Sequence, residues 1–190
     1  MTVKRNILLA LVLMLLPFGA EAQRLAVKTN VLSLGAATPE LGFELVCGEK
    51  TSLGLSVRGT YNPYWRDLSC GEQTPTTLFA LEPELRYWFN GRPLTRFFAG
   101  VNALAISYDY PFREELYKGN AAGAGLTAGY VFNLTRRLDL EICVGSGLLF
   151  YRGKRQSFED PLPREDEMPY SRGYKLTPTK LGISFVYIIR

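Results

Sequence analysis

Glu82 and Glu84 stand two positions apart, with Arg86 two further on, in the segment Leu81-Glu82-Pro83-Glu84-Leu85-Arg86-Tyr87-Trp88-Phe89. Strand side chains two apart share a face, so all three charges project from one side. A carboxylate pair so placed could do general acid–base work on a glycoside, one group protonating the leaving oxygen while the other activates water or attacks. The same spacing also makes an ion pair, and Arg86 supplies the opposite charge. Pro83 between the glutamates gives no cleft, and structural charge networks gather carboxylates and bases in the same way. The expectation is a buried ion-pair network.

Few other residues invite chemistry. The chain has no His, which removes the commonest general base, the usual zinc ligand and the Ser–His pairing together. Cys47, Cys70 and Cys143 are too few and too scattered for a disulfide framework, and an odd number leaves one unpaired. No calcium-loop spacing occurs, and no catalytic, cofactor-binding or metal residues are expected. Asn133-Leu134-Thr135 matches a glycosylation triplet but falls in a turn expected on the periplasmic side. With 22 basic and 18 acidic residues mixed along the chain, the net charge of +4 calls for no nucleic acid.

The elements that must position these charges are strands. Alternating segments recur at 24–34, 40–47, 51–61, 78–89, 95–108, 119–132, 137–151 and 177–190, eight in all, and none shows sustained helical spacing. Gly123, Gly125 and Gly129 argue against a helix over 120–131. Short turns at 47–50, 90–94 and 133–136 alternate with longer links at 62–77, 109–118 and 152–176; only 35–39 is brief. Short periplasmic turns and longer outer loops are the habit of transmembrane barrels. The fold predicted is all-β, an eight-stranded antiparallel up-and-down transmembrane β-barrel.

Aromatic residues gather at both strand ends, as two bilayer girdles would require. Tyr61, Tyr64, Trp65, Tyr108, Tyr110, Phe112, Tyr117, Phe150, Tyr151, Tyr170 and Tyr174 lie near the long links. Tyr87, Trp88, Phe89, Phe97, Phe98, Tyr130, Phe132 and Tyr187 lie near the short turns.

The inward phase of the alternation collects Lys28, Arg58, Arg86, Arg96 and Lys180 against Glu44, Glu82, Glu84, Asp139 and Glu141, five bases facing five acids. Asn30, Ser56, Asn102 and Ser184 share that phase. The outward phase is apolar: Leu41, Phe43 and Leu45, then Leu53, Leu55 and Val57, then Leu138, Leu140, Ile142 and Val144, then Leu181, Ile183, Phe185 and Tyr187. Eight strands enclose just enough room for side chains, so the charges should lock together and fill the lumen.

The last long link is mixed in sign, with Arg155, Glu159, Asp160, Arg164, Glu165, Asp166 and Glu167 among three prolines. Loops on a rigid scaffold often carry contacts, so this is the first candidate for a surface protein partner. At the other end of the chain Lys4-Arg5 precedes ten apolar residues, Ile7 to Leu16, then Pro17 and Ala20-Glu21-Ala22. That order predicts a signal peptide over 1–22, cleaved before Gln23, and a single barrel domain over 23–190. Ten apolar residues fall short of the ~20 that a spanning helix needs.

Lys28-Thr29-Asn30, Thr38-Pro39-Glu40-Leu41-Gly42-Phe43-Glu44, Glu82-Pro83-Glu84-Leu85-Arg86-Tyr87-Trp88 and Pro178-Thr179-Lys180-Leu181-Gly182-Ile183-Ser184 resemble the family known as domain of unknown function 3575. The resemblance covers the first, second, fourth and last strands. It implies a small secreted protein of gut-type Gram-negative bacteria, with an eight-stranded outer-membrane barrel of the OmpA/OmpX kind. It brings no catalytic residues; some relatives occur beside fimbria-related proteins, or fused to a peptidoglycan-binding domain that this chain is expected to lack.

The function expected is therefore a non-enzymatic outer-membrane barrel with a structural or surface-accessory role, including a link to fimbria or adhesion systems. Its partners would be outer-membrane lipid and the barrel-assembly machinery. Two alternatives stay open: a soluble periplasmic barrel of lipocalin type binding a small apolar ligand, and an outer-membrane barrel enzyme that works without His.

Overall fold

Alternating side chains make two unlike faces, and a sheet that carries them buries one face by closing on itself. In a computed structural model, describing residues 24–62, 76–112, 115–157 and 170–189, this closure is complete. The strands are β1 (Leu25–Asn30), β2 (Glu40–Val46), β3 (Thr51–Asn62), β4 (Thr76–Trp88), β5 (Arg96–Phe112), β6 (Glu115–Asn133), β7 (Leu138–Ser157) and β8 (Tyr170–Ile188). Each pairs antiparallel with the next, and β1 pairs with β8 through Ala26↔Ile188 to Asn30↔Ser184, so the sheet is a closed up-and-down barrel. Closure leaves no strand edge to pair with another chain.

Three expectations about the elements need correction. The first strand stops at Asn30, and Val31–Gly35 form a short helix, α1, in place of the four residues expected to extend it. Local hydrogen bonds decide this: Asn30 Oδ1 accepts from the Leu32 amide at 3.1 Å, and Ser33 Oγ donates to the Asn30 carbonyl at 2.9 Å. Asn and Ser side chains compete with the ladder in this way, and Asn is a favoured helix cap. Second, 109–112 and 115–118 of the expected link are strand, for β5 and β6 pair out to Phe112↔Glu115. Third, the link at 152–176 shrinks as β7 and β8 continue to Lys154↔Tyr170. Backbone pairing does not depend on side-chain type, so polar sequence continues a ladder that apolar residues begin.

Pro83 marks a gap in the wall. It faces Leu55 of β3, but pairing of β4 with β5 skips from Leu81↔Ala105 to Glu84↔Asn102, because proline has no N–H to offer. A bulge interrupts β7 and β8 between Gly145 and Ser146, where Gly145 faces Lys180 and Ser146 faces Pro178. The intervening Thr179 is buried beside Lys180, so two consecutive residues of β8 are covered.

The outer face is apolar. Leu41, Phe43, Leu55, Leu81, Leu85, Val101, Leu126, Ile142, Val144, Leu148, Leu181, Ile183 and Phe185 are all exposed. Near the short turns an aromatic row runs around the outside: Tyr87 meets Phe89 edge-on at 5.4 Å, Phe97 meets Tyr130 at 4.9 Å, and Tyr130 meets Phe132 at 4.6 Å. Two residues expected in this row, Trp88 and Phe98, are instead buried inside, because they share the phase of Arg86 and Asn102. At the other end Phe79, Phe150 and Tyr174 are exposed on the outside, while Tyr108 and Tyr151 keep the inward phase, their hydroxyls lying beside the Cα positions of Gly153 and Gly173. Tyr64, Trp65 and the side chains of Tyr61, Tyr110, Phe112 and Tyr170 lie outside the described residues.

Candidate functional site

Most of the charged residues of the inward phase meet in one buried cluster. Arg86 of β4 is its hub, with no exposed surface. Its Nη1 donates to Glu44 Oε2 at 3.0 Å and to Glu141 Oε2 at 2.7 Å; its Nη2 donates to Glu84 Oε2 at 2.8 Å and to Glu141 Oε1 at 2.9 Å. The bidentate grip on Glu141 suits the planar guanidinium. Three strands, β2, β4 and β7, are thereby tied through a single side chain.

Two lysines complete the cluster. Lys28 Nζ donates to Glu44 Oε2 at 3.0 Å and stands 3.8 Å from Glu141. Lys180 Nζ donates to Glu82 Oε1 at 2.9 Å and to Glu84 Oε2 at 2.8 Å. Asn102 Nδ2 donates to Glu82 Oε1 at 2.9 Å, and Thr127 Oγ1 donates to Glu84 Oε1. Nearer the long-loop end, Arg58 pairs with Glu40 through Nε at 3.1 Å and Nη2 at 2.9 Å. Asn30 Nδ2 reaches the same Glu40 carboxylate at 3.2 Å, so the residue that caps α1 also joins the charged interior.

Below the charges, toward the short turns, the lumen is closed by apolar side chains: Ala26, Trp88, Leu94, Phe98, Val131, Cys143 and Val186. The two layers interlock. Trp88 Nε1 donates to Ser52 Oγ at 2.8 Å, and Ser52 Oγ donates to Glu44 Oε1 at 2.6 Å. The Arg86 guanidinium lies 4.1 Å over the Phe98 ring, which itself packs 5.0 Å from Trp88. Phe98 fits there because position 129 is glycine; a Cβ at that position would collide with the ring and with the Ile142 carbonyl.

Eight of the ten residues expected in the lumen are buried there, Arg58 is half-buried, and one is not covered. Arg96 has the inward phase, but it opens β5 with φ of +58° and its side chain is exposed. The apolar plug occupies this end of the lumen, with Leu94 closing it, so a cation there turns out to water. Asp139 is buried but stands apart from the hub: its Oδ1 accepts from Asn133 Nδ2 at 3.0 Å, and its Oδ2 has no hydrogen-bond partner among the described residues. Glu40 is the acid that the expectation missed. It lies four residues before Glu44 in the same phase, which is the signal that could have found it. The inward balance among the described residues is therefore four bases to six acids, not five to five.

Ser52, Thr127 and Trp88 were also missed as network partners, although alternation from Arg86 reaches Trp88 directly. The mixed-sign outer segment is not testable in the same way: Glu159, Asp160, Arg164, Glu165, Asp166 and Glu167 lie outside the described residues, and Arg155 belongs to β7, its backbone opposite Tyr117. Cys47 and Cys143 are free thiols, and Cys70 lies outside the described residues. Burial pushes the Cys47 thiol up from its ordinary value, which suits neither a nucleophile nor a metal ligand. No group of three or more Cys, Asp or Glu that could hold a metal occurs among the described residues.

The arrangement holds charge still. Every carboxylate around Arg86 is occupied by a base, and breaking one buried partnership costs ~3–5 kcal/mol because the other charge stays behind. No curated protein and no solved structure matched the chain. A family model does match, over residues 7–189, nearly the whole length, and the chain belongs to the family described as Protein of unknown function (DUF3575).

Proposed function

We propose that this protein is a non-enzymatic outer-membrane β-barrel whose lumen is sealed by its own side chains, with a structural or surface-accessory role in the cell envelope. The observation that carries the proposal is the inversion of a soluble protein: a closed barrel with leucines, valines and phenylalanines outside and ten charged residues on its inward face. Charged groups are kept from lipid because each would cost ~2–4 kcal/mol at the midplane. On β7 the outward residues run apolar from Leu138 to Phe150, broken only at Ser146 beside the bulge. Twelve steps of ~3.3 Å, tilted by ~40°, rise roughly 30 Å, the thickness of a hydrocarbon core.

In this reading residues 1–22 direct export and are removed before Gln23, the barrel-assembly machinery inserts the rest, and lipid is the first partner. The outer segment around Glu159–Glu167 would meet any surface protein, including fimbrial or adhesion components. The geometry of the lumen favours this over a lipocalin-like carrier, which needs an apolar cavity where Arg86, Glu44 and Glu141 sit. It also favours it over a barrel enzyme, since Glu82 and Glu84 are held by Lys180 and Arg86.

Gel mobility of the detergent-extracted protein, boiled and unboiled, together with membrane fractionation, tests the proposal. A heat-modifiable band in the outer-membrane fraction is expected. A soluble periplasmic protein with one mobility would overturn it.

A further inference from the structure

The turns at the sealed end of the barrel carry charge of almost one sign. Arg24 stands just before β1, Lys50 just before β3, Arg92 in the turn after β4, Arg96 at the first residue of β5, and Arg136 and Arg137 just before β7; all six are exposed. Glu49 is the one exposed acid at this end among the described residues, because Glu44, Asp139 and Glu141 are buried. None of the six cationic groups has a hydrogen-bond or ion-pair partner among the described residues.

Backbone bonds fix these cations around the rim instead of gathering them on one side. The Arg24 carbonyl accepts from the Val46 amide at 3.0 Å, the Lys50 carbonyl from the Trp88 amide at 2.8 Å, and the Arg137 carbonyl from the Ile188 amide at 2.8 Å. A cation therefore stands at the start of β1 and at each of the three turns of this end. On the outer wall beside them Tyr87, Phe89, Phe97, Phe132 and Tyr187 are exposed. Thr51, next to Lys50, pairs with Tyr87, and Leu138, next to Arg137, pairs with Tyr187. Aromatic rings favour headgroup depth, and Lys or Arg just beyond an apolar span keeps its charge at the interface.

We infer that this rim binds an anionic phospholipid leaflet around the short-turn end, its cations meeting lipid phosphates over the whole circumference. The inference rests on the membrane reading and adds to it a lipid class and a side. Charge complementarity selects anionic over zwitterionic headgroups, for a negative lipid surface attracts each nearby Lys or Arg, roughly fivefold in affinity apiece. The circular spread selects a leaflet over a soluble acidic protein, which would cover one sector and leave the other cations unmatched.

The test uses the mature protein folded into vesicles of phosphatidylcholine, alone or mixed with phosphatidylglycerol, reading the urea midpoint at which the folded gel band is lost. Phosphatidylglycerol should raise that midpoint at low salt. The rise should vanish near 1 M salt, where exposed charges are screened beyond ~3 Å. R92Q/R136Q/R137Q should lose about half of the rise, since three of the six cations are gone. R92K/R136K/R137K, which keeps the charge at the same positions, should keep it, and the unboiled band reports that both barrels form. No rise with phosphatidylglycerol would overturn the inference, as would a rise that survives salt, an undiminished rise in the glutamine variant, or equal losses in both variants. An equal rise in pure phosphatidylcholine on adding soluble polyglutamate would overturn it in favour of an acidic protein. A wild-type protein with no heat-modifiable band in any detergent would instead overturn the membrane reading itself.

Discussion

Replacing Arg86 with leucine would remove the one cation that touches Glu44, Glu84 and Glu141 together. Lys28 would remain 3.0 Å from Glu44, and Lys180 would remain 2.8 Å from Glu84. Glu141 would fare worst, keeping only Lys28 at 3.8 Å. Removing one partner from a buried pair costs ~3–5 kcal/mol, and Glu141 alone brings the loss into that range. At ~2–4 °C per kcal/mol for a domain of this size, the midpoint of thermal unfolding should fall by about 6–20 °C. The assay is the boiled and unboiled gel series in detergent, with urea titration in the same micelles. The double change R86L/E141Q should recover part of the loss, because neutralising Glu141 removes the orphaned charge; contacting residues couple by ~0.5–3 kcal/mol. A midpoint within about 2 °C of wild type for R86L, or purely additive losses in the double variant, would refute the hub.

Three further outcomes are expected. Leu55→Arg, on the exposed outer face of β3, should lower folding yield in lipid vesicles by an amount corresponding to ~2–4 kcal/mol, whereas Arg155→Ala should leave it unchanged; equal yields would count against the lipid-facing assignment. Gly129→Val should destabilise by ~1–3 kcal/mol in urea titration by driving the Phe98 ring off Trp88, and a neutral result would mean the plug has slack. In planar bilayers the wild-type barrel should pass no steady current, since Trp88, Leu94, Phe98 and Val131 close one end; ohmic conductance would show an open path past them.

Alternation alone carried most of the architecture. The phase of Glu82, Glu84 and Arg86 gave the inward face of β4, and the same arithmetic placed Lys28, Glu44, Arg58, Glu141 and Lys180 on neighbouring strands. It also gave the outward leucines, since a period of two leaves no third face. What it handled badly were the ends. Arg96 kept the phase yet turned out at a residue with positive φ, and Trp88 and Phe98 passed for an outer girdle because aromatic type says nothing about side. The polar stretches at 109–112, 115–118 and 152–157 read as loop, although their backbones continue the ladder.

The sequence by itself determined that the chain is all-β, how many strands it has, and which side chains share a face, because these follow from local periodicity and turn chemistry. Only the tertiary structure decided which charge meets which. Arg86 and Glu141 are 55 residues apart and bond within 2.7 Å because closing β1 onto β8 brings β4 and β7 across a lumen too narrow to hold them apart.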